Sequence, residues 1–263
     1  MRVLVTGGAG FVGHHVVQHL LETTDWDVVL LDRLDLLGNL NRLADLDCWD
    51  RHKSRITFVW HDLKAPISET NARYIGHPDY VLHLAARSHG DCSIDDPLSF
   101  VMDNVVGTCN LLGWARTNDR LRHLIYFSTD EVFGPAPVGT TWKEWDRYRS
   151  GNPYAASKAG AEELCLAFYN TFGLPVSITH CINIFGERQH SEKFIPSTIR
   201  KVGLGETVTI YLDSTRTRLG SRFYIHARQV AEAVHFILGI AATGDKFNIV
   251  GEREATSAAP SVD

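Results

Sequence analysis

The sequence predicts a doubly wound α/β fold with a parallel sheet, and three observations predict it. Short apolar runs alternate with longer segments of helical periodicity. The apolar runs are continuous rather than alternating, as strands covered on both faces require. A glycine-rich turn joins the first run to the first helical segment. Residues 2–6 form the first strand. Residues 11–22 form a helix with Val12, Val16, Val17 and Leu20 on one face. Further strands fall at 28–31, 56–60, 80–84 and 124–127. The stretch 103–116 reads as a crossing helix. Asn152 caps the next helix with Pro153 at its first position, and the helix runs to about Asn170, before Gly173-Leu174-Pro175.

From Asn183 the texture changes, and arginine and aromatic residues gather over 200–228. The expected organisation is a nucleotide-binding domain at 1–182 and a small, apparently incomplete C-terminal lobe at 183–254, with segments of it able to return to the first domain. A disordered Ala/Ser/Pro-rich tail is expected at 255–263. A chain of 263 residues suffices for one sizeable core. A net charge of -5 without a basic block argues against nucleic acid, and no apolar run reaches membrane-spanning length. The N-terminus opens as a strand and carries no expected leader. Cys48, Cys92, Cys109, Cys165 and Cys181 lack CxxC spacing and read as reduced, cytosolic thiols. The 13 histidines include no HExxH or Cys/His ligand pattern, so no metal site is expected; among them only His89 is placed near an active site.

The run Gly7-Gly8-Ala9-Gly10-Phe11-Val12-Gly13 follows a strand and opens a helix, with Asp32 about 20 residues on at the next strand end. Glycine allows the tight turn and lets backbone approach a pyrophosphate, which the helix N-terminus attracts. Asp32 suits a ribose 2′-hydroxyl and so favours NAD over NADP, although Arg33 beside it could hold a 2′-phosphate. Asp62 and Leu63, after the third strand, are placed to flank adenine. Downstream, Ser128-Thr129-Asp130-Glu131-Val132-Phe133-Gly134 ends an apolar strand. Tyr154 and Lys158 share a helix face at i, i+4. A nearby ammonium lowers a phenol's pKa, so Tyr154 is expected to act as a base toward a sugar hydroxyl.

With these motifs the chain resembles the extended short-chain dehydrogenase/reductases, and among them the nucleotide-sugar 4,6-dehydratases of the dTDP-glucose type. The resemblance rests on GGAGFVG at 7–13, DRLDLLGNL at 32–40, LAARSH at 84–89, NVVGT at 104–108, STDEVFG at 128–134, PYAASK at 153–158, NIFG at 183–186 and EKFIP at 192–196. It implies a Rossmann sheet, a retained NAD, a nucleotide-sugar substrate and a homodimer built through a four-helix interface. It implies that Leu84, Ala85, Ala86 and Ser128 join the glycine turn, Asp32, Asp62, Leu63, Tyr154 and Lys158 around the cofactor. Tyr154 would start the cycle with Thr129 polarising O4. Glu131 would take the C5 proton and Asp130 would protonate the C6 hydroxyl. Ser88 would face the hexose, and Asn183, Lys193 and Asn248 the nucleotide diphosphate. Among Arg216, Arg218 and Arg222, Arg222 is the favoured diphosphate arginine. Arg87, Cys92 and Asp103 stand where the family usually has Glu, Arg and Thr. Two alternatives stay open: a 4-epimerase or decarboxylase of the same superfamily, and a non-catalytic NAD-binding protein.

Overall fold

Seven parallel strands lie in the order β3-β2-β1-β4-β5-β6-β9. They are β1 (Arg2–Thr6), β2 (Asp27–Asp32), β3 (Ile56–Trp60), β4 (Tyr80–His83), β5 (His123–Thr129), β6 (Val176–Cys181) and β9 (Lys246–Ile249). The second sheet, β10-β8-β7, joins β7 (Asn183–Phe185), β8 (Ser221–His226) and β10 (Glu254–Thr256). This computed structural model describes residues 1–35, 37–136, 140–210, 221–240, 242–251 and 254–256.

The continuous apolar strands work as expected of a sheet covered on both sides. Val3 and Val5 face one layer and Leu4 faces the other, and all three are fully buried. On the first face α1 (Phe11–Thr23) packs with Val16, Val17, Leu20 and Leu21. Beside it sits α10 (Ala227–Gly239), which contributes Val230, Val234, Ile237 and Leu238. The opposite face is covered by α7 (Gly107–Ala115), through Leu111 and Leu112, and by α8 (Pro153–Phe172), through Ala161 and Cys165. Each such aliphatic side chain taken out of water contributes about 1.5–3 kcal/mol. The remaining helices are shorter or peripheral: α2 (Asn41–Ala44), α3 (Trp49–His52), α4 (Glu69–Ile75), α5 (Gly90–Asp95), α6 (Pro97–Phe100) and α9 (Phe194–Gly203).

Several expectations need adjusting. The helix expected at 103–116 begins earlier, with α6, and passes through a π-helical stretch at Val101–Val106 before α7. Beyond Asn183, in line with segments able to return to the first domain, β9 pairs with β6, Ile178 opposite Lys246, and α10 lies on the main sheet. The parallel pairing of β6 and β9 is long-range, and local periodicity does not encode which strands pair. Ala255 and Thr256, expected in a disordered tail, pair with Arg222 and Ser221 in β10–β8. Residues 257–263 of that tail lie outside the described residues, as do Arg216 and Arg218.

α8 matters most for the site. The Asn152 side chain accepts from the Ala155 amide at 2.8 Å, and Pro153 needs no donor in the first turn. At its other end Gly173 adopts φ 67°, the left-handed conformation that glycine reaches without a Cβ penalty. The helix so delimited carries Tyr154 to the carboxyl end of the sheet.

Candidate active site

A cleft of about 460 Å³ opens along the carboxyl ends of β1, β2, β4, β5 and β6. One end is walled by the glycine turn. Gly7 sits at φ +70° and donates to the Leu31 carbonyl at 2.8 Å, which folds the turn back on β2. A Cβ on Gly13 would stand 2.1 Å from the Gly7 carbonyl oxygen, so the turn closes only with glycine there. α1 begins directly behind, and its N-cap Gly10 supplies no side chain to cover the first amides. Gly7, Gly10, Phe11, Val12 and Gly13 all line the cleft, a cradle suited to a pyrophosphate.

Asp32, at the end of β2, is 8% exposed. Its carboxylate accepts from the Ala9 amide at 3.0 Å and the Leu34 amide at 2.9 Å. Burial pushes its pKa up, and those two amides pull the other way. Both oxygens keep lone pairs for a ribose hydroxyl. Arg33 is not available as a simple phosphate binder. Its guanidinium holds Asp103 through two bonds of 2.7 and 2.9 Å, binds Asp35 at 2.9 Å and stands 3.6 Å from Asp62. Asp103 comes from the π-helical stretch and also lies within 4.0 Å of Lys64 and Arg87. Asp62, Leu63, Leu84, Ala85 and Ala86 complete this end of the lining.

At the centre, β5 delivers Ser128 and Thr129, the 3-10 turn after it Asp130 and Glu131, and α8 presents Tyr154 and Lys158; all six line the same cleft. The two carboxylates differ. Glu131 is exposed and accepts from the Asn152 side chain at 3.0 Å. Asp130 is raised to about 6, first by burial and then by the Glu131 charge. The neighbours thus differ: burial favours the protonated form of Asp130, while the Asn152 side chain anchors Glu131.

The expected lowering of the Tyr154 pKa is not found in the protein alone. Burial raises it, Glu131 adds to this, and only Thr129 works the other way. Lys158 explains the difference: its ammonium donates to the Phe127 carbonyl at 2.6 Å and lies over the Tyr126 ring. Burial lowers Lys158 itself to about 8. A cation bound against the phenol would be required to reverse the balance.

The match to known proteins follows this geometry. A family model described as the NAD dependent epimerase/dehydratase family matches residues 3–250. The chain belongs to that family. It is 34% identical to the dTDP-glucose 4,6-dehydratase of Salmonella typhimurium, over 97% of this chain and 73% of that protein. The crystal structure of the dTDP-glucose 4,6-dehydratase DesIV from Streptomyces venezuelae, with NAD bound, superposes at a TM-score of 0.88 and 35% identity, covering 97% of this chain and 77% of that one. The NAD complex of Thermus thermophilus UDP-glucose 4-epimerase gives 0.84 at 30% identity, over 97% and 79%.

On the other side of this family cleft lie Ser88, Asn183 and Lys193, all lining it. Asn183 donates to the Phe223 carbonyl at 3.4 Å. Two expected substrate residues stand elsewhere. Asn248 does not line the cleft; its side chain meets His180 Nδ1 at 3.2 Å and the Trp142 carbonyl at 3.3 Å. Its place on β9, against β6, turns it into the sheet's support. Arg222 on β8 does not line the cleft either, although its charge lowers the Asp130 pKa.

The sequence reading missed Glu162. It follows Lys158 by four residues, so Tyr154, Lys158 and Glu162 form one helix face, and that spacing was visible. Glu162 is fully buried and accepts from Ser128 and Tyr148, with His180 Nε2 2.9 Å away and the Lys246 ammonium at 3.8 Å. Burial pushes its pKa up, but His180, Ser128 and Tyr148 together hold it below the usual value. A buried carboxylate so completely bonded fixes β5, β6 and α8 relative to one another beneath Thr129, Asp130 and Tyr154. Ser128 therefore spends its hydroxyl on Glu162.

Proposed function

We propose that the protein is an NAD-dependent nucleotide-sugar 4,6-dehydratase, a hydro-lyase converting an NDP-hexose of the dTDP- or UDP-glucose type to the NDP-4-keto-6-deoxyhexose. One observation carries this reading: an Asp held up near 6 and a separately anchored Glu converge with Tyr154 and Lys158 in one cleft beside a dinucleotide cradle. The named relatives at 34–35% identity support it.

The glycine turn would take the pyrophosphate and Asp32 the adenosine ribose. The three carboxylates around Arg33 leave little positive potential for a 2′-phosphate, which favours NAD. NAD, when bound, accepts a hydride from the sugar and returns it, so it is recovered unchanged. Tyr154 takes the proton of the C4 hydroxyl, with Thr129 on the same oxygen. Glu131 then removes the C5 proton, made acidic by the adjacent ketone. Asp130 protonates the departing C6 hydroxyl, and water leaves. With the hydride returned to C6 and a proton returned from Glu131 to C5, the net change is loss of one water.

Residues 1–182 would form the cofactor domain, and the loops around β7, β8 and α9 the substrate lobe. Ser88 would contact the hexose, and Asn183 and Lys193 the diphosphate. A homodimer is supported by apolar side chains left in solvent beside the cleft: Ile94 on α5, Leu98 on α6, and Val101 and Met102 after it. All five cysteines are free, and no helix among the described residues is long and apolar enough to cross a membrane; both support a cytoplasmic setting.

Incubation of the NAD-loaded protein with dTDP-glucose and UDP-glucose, read by product mass, tests the assignment. Loss of one water is expected. The 30% identity to the Thermus thermophilus 4-epimerase makes epimerisation the second reading, and it predicts unchanged mass with a new sugar configuration. NAD binding without turnover of either sugar would leave the protein a non-catalytic binder.

A further inference from the structure

Three side chains at the substrate-side mouth of the cleft take no part in the proposed reaction. His89 immediately precedes α5, while His190 and Glu192 lie in the loop between β7 and α9. His89 Nε2 stands 3.5 Å from Glu192 Oε2, and His190 Nδ1 stands 3.6 Å from the same oxygen. The three donor atoms lie within 4.8 Å of one another.

Both ring nitrogens are shut off from solvent, and neither has a hydrogen-bond partner. Buried polar atoms are rarely left so, and a missing ion is one recognised cause. Two imidazoles and one carboxylate are a donor set for zinc. Bonds of about 2.1 Å to a tetrahedral zinc imply donor–donor edges of about 3.4 Å. Two of the three edges are already within a few tenths of an ångström of that. His89 and His190 both line the cleft, so a fourth coordination position would open toward it.

We propose that His89, His190 and Glu192 form a binding site for a divalent transition-metal ion of the zinc class at the mouth of the cleft. The ion ties the segment after β4 to the loop after β7, the two walls between which a substrate enters. The absence of a ligand pattern in the sequence has a plain reason: His89 belongs to a different element, far along the chain from His190 and Glu192, so only folding brings them together. The inference does not rest on the dehydratase reading.

The test uses the full chain, freed of metal with a chelator. Equilibrium dialysis against Zn(II) alone should give one ion per chain, and Co(II) should give the intense visible absorption of a tetrahedral site. His190→Gln and Glu192→Gln, each checked for fold by circular dichroism and for NAD affinity, should each weaken the ion by about tenfold or more. His235→Gln removes one ring of the separate His19–His235 pair, 3.0 Å apart between α1 and α10, and should leave binding unchanged. The proposal is overturned if no stoichiometric Zn(II) binds, if binding survives both mouth variants, if it follows His235 instead, or if the cobalt spectrum is that of an octahedral, solvent-like ion.

Discussion

The two walls of the cleft are built differently. The cofactor wall rests on the ends of fully paired parallel strands, where Val3 to Val5 and Val28 to Leu31 are at most 1% exposed. The substrate wall rests on β7, only three residues long, on loops, and on α9, which has no buried residue. Phe194, Ile199 and Val202 of α9 stand 41–68% exposed. Groups that must meet a reacting atom to within fractions of an ångström sit on the rigid wall. On the proposed reading, groups that select the sugar nucleotide sit on the wall with little core of its own.

The contrast can be broken in measured steps. The largest effect belongs to the junction. Glu131→Gln should lower water loss by about 10²–10⁴-fold while single-turnover formation of NADH survives, since on the proposed mechanism only the C5 base is removed. Equal loss of both signals would place Glu131 in binding instead. On the cofactor wall, Gly13→Ala forces a methyl to 2.1 Å from the Gly7 oxygen. NAD affinity by calorimetry should fall about 100-fold, by disturbing the amides that meet the pyrophosphate; retained affinity would show that the turn can yield.

Asp130 sharpens the comparison through pH. Its folded pKa, about 6, exceeds the ordinary value of 3.8. Its contribution to stability is therefore complete below about pH 4 and is lost as pH rises through 6. Asp130→Asn should raise thermal stability at pH 8 by the equivalent of about 2–3 kcal/mol, with no gain at pH 4, while activity falls. A gain independent of pH would mean that Asp130 is not held protonated. Asp103→Asn releases Arg33 from its two-bond partner, so the NADP-to-NAD preference measured by affinity should rise about tenfold. The smallest effect is expected from Asn248→Ala. Outside the cleft, it should change KM by less than about threefold with some loss of stability; a large rise in KM would return Asn248 to the diphosphate.

Much of the cofactor wall was legible in advance, and for local reasons. The glycine turn, Asp32 and the i, i+4 pair on α8 are patterns within one element or two consecutive ones. The strands could be recognised as continuous apolar runs because both faces are covered. Legibility failed where partners come from far along the chain. β9 pairs with β6 across α10, a partnership between distant segments that local periodicity does not encode. Asn248 was expected from the motif to face the diphosphate, whereas its side chain meets His180 and the Trp142 carbonyl. Glu162 escaped because its partners Tyr148, His180 and Lys246 lie on other elements.

The sequence by itself determined the α/β alternation, the dinucleotide turn and the set of groups able to move protons, because periodicity and spacing are local properties of a chain. Only the tertiary structure decided what state those groups occupy. It buried Asp130 beside Glu131, drew Lys158 onto a backbone carbonyl, locked Arg33 among three carboxylates and gathered His89, His190 and Glu192 at one mouth. Charge and protonation depend on desolvation and on distances through space, and those exist only once the chain has folded.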